Sequence, residues 1–127
     1  MTYTLSNLDD VKDEAAEFGI GDVQESRFPY KDVEAETTGF AHHRIKPGMR
    51  VPFAHHHFDA EEVHFVLSGS GRAILDGEVV ELRTMDVLRV SPEVTRGFEA
   101  GADGMEYLVF GPRHESDGKI VEDAWPD

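Results

Sequence analysis

Of the seven histidines and carboxylates within ten residues, four have the spacing to bind a metal or move a proton together: His55, His57, Glu62 and His64, in the run His55-His56-His57-Phe58-Asp59-Ala60-Glu61-Glu62-Val63-His64. Alternate side chains of a strand share a face, so His55 and His57 converge while His56 points away. Glu62 follows a short turn-like spacer and can fold back beside them. Two neutral imidazoles and a carboxylate on neighbouring strands form a metal site with coordination positions left open. His64 shares the parity of Glu62 and should also face inward. It is a candidate fourth ligand or general base, or else a barrel-lining histidine satisfied by a neighbour. Only one of His42 and His43 can face the interior. With Ile45 in the core, His43 is the better candidate. His56 is expected to face outward, and His114, beyond the last expected strand, receives no role.

These residues need a β framework. From Gly39 to Phe110, short β-rich runs alternate with turn signals: Phe40–Ile45 before Pro47-Gly48, Val63–Ser68 before Gly69-Ser70-Gly71, and Arg72–Leu75 before Asp76-Gly77. Asp-Gly favours tight hairpins, and Gly69-Ser70-Gly71 also reads as a hairpin turn. Glu78–Leu82, Val87–Val90, Thr95–Glu99 and Met105–Phe110 complete the set, with one more strand expected around Ser26–Tyr30. Short strands at even spacing predict a sandwich or barrel. Before them, Ser6 to Gly19 reads as a short amphipathic helix, with Leu8, Val11, Ala15 and Phe18 on one face, Ser6 or Asn7 as cap and Gly19 as stop. The division is thus an N-terminal extension (1–38), a β-barrel (39–111) and a polar tail (112–127). Trp125, in that tail, is expected to dock on the barrel or on a second subunit.

The 127 residues suit one core. No cysteine is present, which removes disulfides and thiolate chemistry. A formal charge of −14 argues against nucleic acid and anionic membrane surfaces as partners. No apolar run has the length of a membrane helix, and the first residues lack the pattern of a signal peptide. The expected location is cytoplasmic.

The pattern H-x-H-x4-E-x6-G, from His55 to Gly69, resembles the first motif of the cupin superfamily. The resemblance covers roughly Phe40 to Phe110 and implies a double-stranded β-helix, the jelly-roll barrel. It also implies that His55, His57 and Glu62 are metal ligands. The glycine of Pro47-Gly48 precedes His55 by one residue more than usual. The second motif falls on Ser91 to Ala100, where Arg96 stands in place of the metal histidine, Ser91 in place of proline, Glu93 in place of glycine and Ala100 in place of asparagine. This run is similar to a subgroup of small one-domain cupins with arginine at that position. Phe98 should share the face of Arg96, so Arg96 is expected to point into the barrel. A guanidinium stays protonated and cannot ligate a metal. Buried, it needs a partner: Glu62, an anionic ligand, or a metal-bound substrate.

Two functions follow. The first is a metal-dependent cupin (Fe, Mn, Ni or Zn) acting on a small anionic metabolite by oxygenase, isomerase or lyase chemistry. In it Arg96 orients the substrate, and His64 or His43 moves a proton. The second is a non-catalytic cupin that binds a small molecule without metal, with Arg96 paired to Glu62 or clamping an anion. A metal-free scaffold is the least specific reading. A homodimer is expected from the resemblance and from edge strands that need cover.

Overall fold

The computed structural model describes residues 2–113 and 117–127; His114 lies outside the described residues. Eight strands make one curled sheet: β1 (Gln24–Arg27), β2 (Thr38–Ile45), β3 (Ala54–His57), β4 (Glu62–Leu75), β5 (Glu78–Arg83), β6 (Val87–Val90), β7 (Arg96–Pro112) and β8 (Gly118–Val121). The path β1-β2-β7-β3-β8 is joined by β4, which pairs with β5, β6 and β7, all antiparallel. The fold is all-β, as the turn-punctuated pattern predicts. Among the described residues no helix is long and apolar enough to cross a membrane.

β7 organises the barrel. Its second half pairs with β2 from Ile45↔Met105 to Thr38↔Pro112, two stretches (Arg96–Ala100 and Met105–Phe110) pair with β4, and its start meets β3 at His55↔Arg96. Inward-facing residues alternate along these strands, so Ile45, Val66, Ala73, Phe98, Met105, Tyr107 and Val109 form the buried core.

Gly69-Ser70-Gly71 is not the expected hairpin turn. It lies inside β4, at register shifts between Val66 and Ser68 and between Gly69 and Gly71. A Cβ at Gly69, where φ is 76°, would sit 2.0 Å from the Gly104 carbonyl oxygen, and one at Gly71 2.1 Å from that of Glu99. The glycines admit the facing backbone at a bulge and bend the paired strands. The two expected strands on each side therefore merge into β4, and Thr95–Glu99 and Met105–Phe110 likewise belong to one strand, β7. Asp76-Gly77 is the expected tight turn, with φ of 48° and 87°.

The N-terminal helix is corrected to two 3-10 turns, Leu8–Asp10 and Ala15–Phe18. Side-chain oxygens interrupt it. Asn7 Oδ1 accepts from the Asp9 N–H, and Asp13 Oδ1 accepts from the N–H groups of Ala15 and Ser26. Gly19 does stop the second turn, in the left-handed conformation at φ 75°. This segment covers the edge of β1, with the Glu14 N–H donating to the Ser26 carbonyl.

The last residues carry β8, which pairs with β3 from Ala54↔Val121 to His57↔Gly118. Trp125 docks on its own barrel. Its ring lies under the Arg50 and Arg72 guanidiniums, at 4.2 and 5.2 Å, and its Nε1 abuts Gly97.

Candidate functional site

β3 presents His55 and His57 to the interior, with ring centroids 5.1 Å apart and perpendicular planes. His56 takes the other face, its Nδ1 beside the His57 carbonyl and its ring edge-on to Phe58. Glu62 opens β4 with the same inward parity as His64. Ligand atoms of His55, His57 and Glu62 lie within 4.8 Å of one another. The sequence-predicted triad is therefore assembled, and His64, Arg96 and His43 line the same cavity, of about 290 Å³.

Arg96 has no exposed side-chain surface and directs four of its hydrogen bonds within the protein. Nη1 donates to Glu62 Oε1 at 2.9 Å, Nε to the Val94 carbonyl, and Nη2 to the carbonyls of Ser91 and Pro92. Of the three partners open at the outset, Glu62 is the one the structure provides. Backbone carbonyls absorb most of the remaining donors, so Arg96 is not free to clamp a ligand with its fork.

Glu62 divides its oxygens. Oε1 receives Arg96 and faces His64 Nε2 at 3.6 Å, while Oε2 faces His57 Nε2 at 3.3 Å. Burial pushes the carboxyl upward, but the contacts of His57 and His64 outweigh it and hold Glu62 well below the usual carboxylate range. His55 falls to about 4, because burial and the nearby Arg96 charge disfavour the imidazolium more than Glu62 favours it. A neutral imidazole and an ionised carboxylate are the ligand forms a metal requires.

Asp117 was not legible in the sequence. Its carboxylate accepts from the N–H groups of Phe58, Asp59 and Ala60, the spacer between β3 and β4, and Oδ2 lies 3.4 Å from His57 Nδ1. It thereby fixes both the loop that brings Glu62 back and the ring that leaves Nε2 facing the cavity. No local signal marks it, because β8 carries it in from 60 residues downstream.

The donors suit a divalent ion. Both ring nitrogens of His57, and both of His64, are buried without a well-formed hydrogen bond. Buried imidazole nitrogens in that state call for a partner. Glu62 Oε2 remains open to a metal while Oε1 holds Arg96, so the ion pair and a metal are compatible. His64 stacks at 5.0 Å on Phe98, which stacks at 5.1 Å on Tyr107. The far side of the cavity is formed by β1 and β2, where His43 packs 5.2 Å from Tyr107. His42, on the outer face of β2, is buried as well, its Nε2 2.7 Å from Glu106 Oε2.

The family described as Cupin domain matches residues 41–111. The protein is a cupin. A cupin from Bacteroides fragilis superposes with a TM-score of 0.71 at 24% identity, covering 91% of this chain and 88% of that one. A polyketide cyclase from Streptomyces resistomycificus gives 0.75 at 19%, covering 94% and 84%. A sugar phosphate isomerase of the cupin superfamily from Silicibacter pomeroyi gives 0.71 at 15%, covering 94% and 92%. At these identities the likeness is one of fold. Among curated proteins, none matches this cupin by sequence. The family match begins at Ala41, so Phe18, Ile20, Gln24, Ser26 and Phe28, which also line the cavity, lie outside it.

Proposed function

We propose that this cupin holds a divalent metal, of the Fe, Mn, Ni or Zn class, on His55 Nε2 or Nδ1, His57 Nε2 and Glu62 Oε2, and acts on a small anionic molecule in the cavity. The observation that carries this reading is the convergence of three donors within 4.8 Å beside buried imidazole nitrogens that lack a well-formed hydrogen bond. A bound ion supplies a Lewis acid and an anchor for substrate oxygen. The chain's own residues do the rest. Arg96, standing where the family's second motif places a histidine, fixes Glu62 through Oε1. Its charge, added to that of a divalent ion, leaves the site net positive once Glu62 is counted, which favours an anionic ligand. His64 Nε2 lies next to the carboxylate and is placed to hold a proton there; His43 stands at the opposite wall.

The aromatic lining, Phe28, Phe53, Phe98 and Tyr107 among it, favours a ligand with an apolar, planar body and excludes water from around the reacting end. Oxygenase, isomerase and lyase chemistry all belong to this type of site. The alternative, a metal-free binding cupin, draws support from the 2.9 Å Arg96–Glu62 pair.

Thermal unfolding of apo-protein with added Mn, Fe, Ni or Zn separates the two. The metal reading predicts a rise in Tm that saturates with ion concentration and is abolished in Glu62→Gln, since an ion that binds only the folded state stabilises it. An unchanged Tm with every ion would favour the metal-free alternative.

A further inference from the structure

The strand that carries His55 and His57 is held mainly from one side. β3 pairs with β8 along its whole length, from Ala54↔Val121 to His57↔Gly118. Toward the rest of the barrel, among the described residues, it pairs only at His55↔Arg96, and the His57 N–H donates to the Pro92 carbonyl. Two short strands that lean chiefly on each other are marginal by themselves. Their hold therefore depends on how residues 117–127 are fastened at each end.

At the near end, Asp117 accepts from the N–H groups of Phe58, Asp59 and Ala60 and lies 3.4 Å from His57 Nδ1. At the far end, the Trp125 ring lies 4.2 Å from the Arg50 guanidinium and 5.2 Å from that of Arg72. Arg50 also donates to the main-chain oxygen and Oδ1 of Asp127, and Glu99 accepts from both arginines. Trp125 sits in a socket that lacks a side chain. A Cβ at Gly97 would meet Trp125 Nε1 at 3.3 Å and Ala54 Cβ at 3.2 Å, so the socket adjoins the first residue of β3. Trp125 Nε1 is buried with no acceptor, a cost that offsets part of the cation–π attraction. The ring, and not its N–H, makes the lock.

We propose that residues 117–127 are a strap that positions β3, with Trp125 as its lock, and that docking of the strap and occupancy of the His55, His57 and Glu62 site reinforce one another. An ion needs both imidazoles in fixed places, and the strap supplies this through the β3 backbone and Asp117. Linkage makes the effect reciprocal: the strap tightens the ion by the same factor as the ion tightens the strap. The coupling rests on the metal reading above; the strap does not. Trp125 is thus a positioning residue.

Hydrogen exchange and zinc titration of the full-length protein test this, using Trp125→Ala and Trp125→Phe. Without metal, Trp125→Ala should speed exchange of residues 54–60 and 118–121 about tenfold and leave β2 and β7 within about twofold. Trp125→Phe keeps a ring beside both arginines and loses only the unpaired N–H, so it should exchange like wild type. Zinc affinity, read by competition with a chromogenic chelator, should fall about tenfold in Trp125→Ala and return to within about twofold in Trp125→Phe. Trp125 is the chain's one tryptophan, and zinc should reduce its quenching by acrylamide in the wild type. Unchanged exchange of residues 54–60 in Trp125→Ala, or a rise spread equally over β2 and β7, would overturn the strap. Equal zinc affinity in wild type and Trp125→Ala would overturn the coupling. No zinc bound by wild type, with the local rise in exchange intact, would remove the metal reading, and the coupling with it, and uphold the strap.

Discussion

Arg96 is a cation with no exposed surface, and its stability depends on Glu62 and three backbone carbonyls. Removing one partner of a buried pair leaves the other uncompensated. Arg96→Met should lower unfolding free energy by about 3–5 kcal/mol, measured by urea denaturation. Arg96→Lys should recover only part of this loss, because an ammonium cannot reach Glu62 and the carbonyls together. A loss below about 1 kcal/mol for Arg96→Met would mean that the pair is not structural. At this scale the sequence was informative wherever alternation applies. The inward directions of His43, His55, His57, Glu62, His64 and Arg96 follow from a period of two anchored on Ile45 and Phe98. Gln24, Ser26 and Asp117 were not readable in this way. They lie outside the motif and reach the site through β1 and β8, whose pairing is set by distant partners.

The elements depend on close approach between β4 and β7 and on one ion-pair cluster across β2, β7 and β4. At Gly69 a Cβ would collide with the Gly104 backbone, whereas at Gly48, also left-handed with φ 70°, it meets open space. Gly69→Ala should therefore cost about 2–4 kcal/mol and Gly48→Ala about 1; equal costs would contradict the bulge. A glycine pair between two β-rich runs looks like a hairpin in one dimension, since only the partner strand shows that the backbone continues. Glu106 has a related long-range role. Oε2 binds His42 at 2.7 Å and Arg44 at 2.8 Å, and Oε1 accepts from Ser68. Burial opposes ionisation, but these bonds win and hold the carboxyl at about 2, against 4.5 when free. A depressed folded-state value contributes stability above pH 4.5 that is lost as pH falls toward 2. The full shift is worth at most about 3 kcal/mol. Urea unfolding at pH 7, 4.5 and 3 should show Glu106→Gln less stable than wild type at pH 7, with the gap narrowing as pH falls. A gap independent of pH would mean that the cluster contributes packing alone.

For the molecule as a whole, the outer face of the sheet bears on assembly. Phe40, Phe110 and Val63 line up across β2, β7 and β4, and Leu108, Phe65 and Val87 form the next row; Phe110 and Val87 are 39% and 66% exposed. These apolar rows, bordered by Arg89 and Glu61, suit an isologous contact with a second copy, because self-association there hides apolar surface. The proposed homodimer predicts sedimentation at about twice 14.2 kDa. Val87→Lys with Phe110→Lys should give monomers that retain metal; a monomeric wild type would contradict it. The family resemblance read from His55 to Gly69 agrees with the match over residues 41–111, yet that stretch omits Phe18, Ile20, Gln24, Ser26 and Phe28 of the cavity lining. Function is consequently less legible than fold. The central claim is that His55, His57 and Glu62 hold a metal beside an intact Arg96–Glu62 pair. Elemental analysis of untagged protein purified without chelator tests it most directly. The account predicts close to one Fe, Mn, Ni or Zn per chain, lost in His57→Ala. Absence of metal, even after incubation with excess divalent ions, would contradict it.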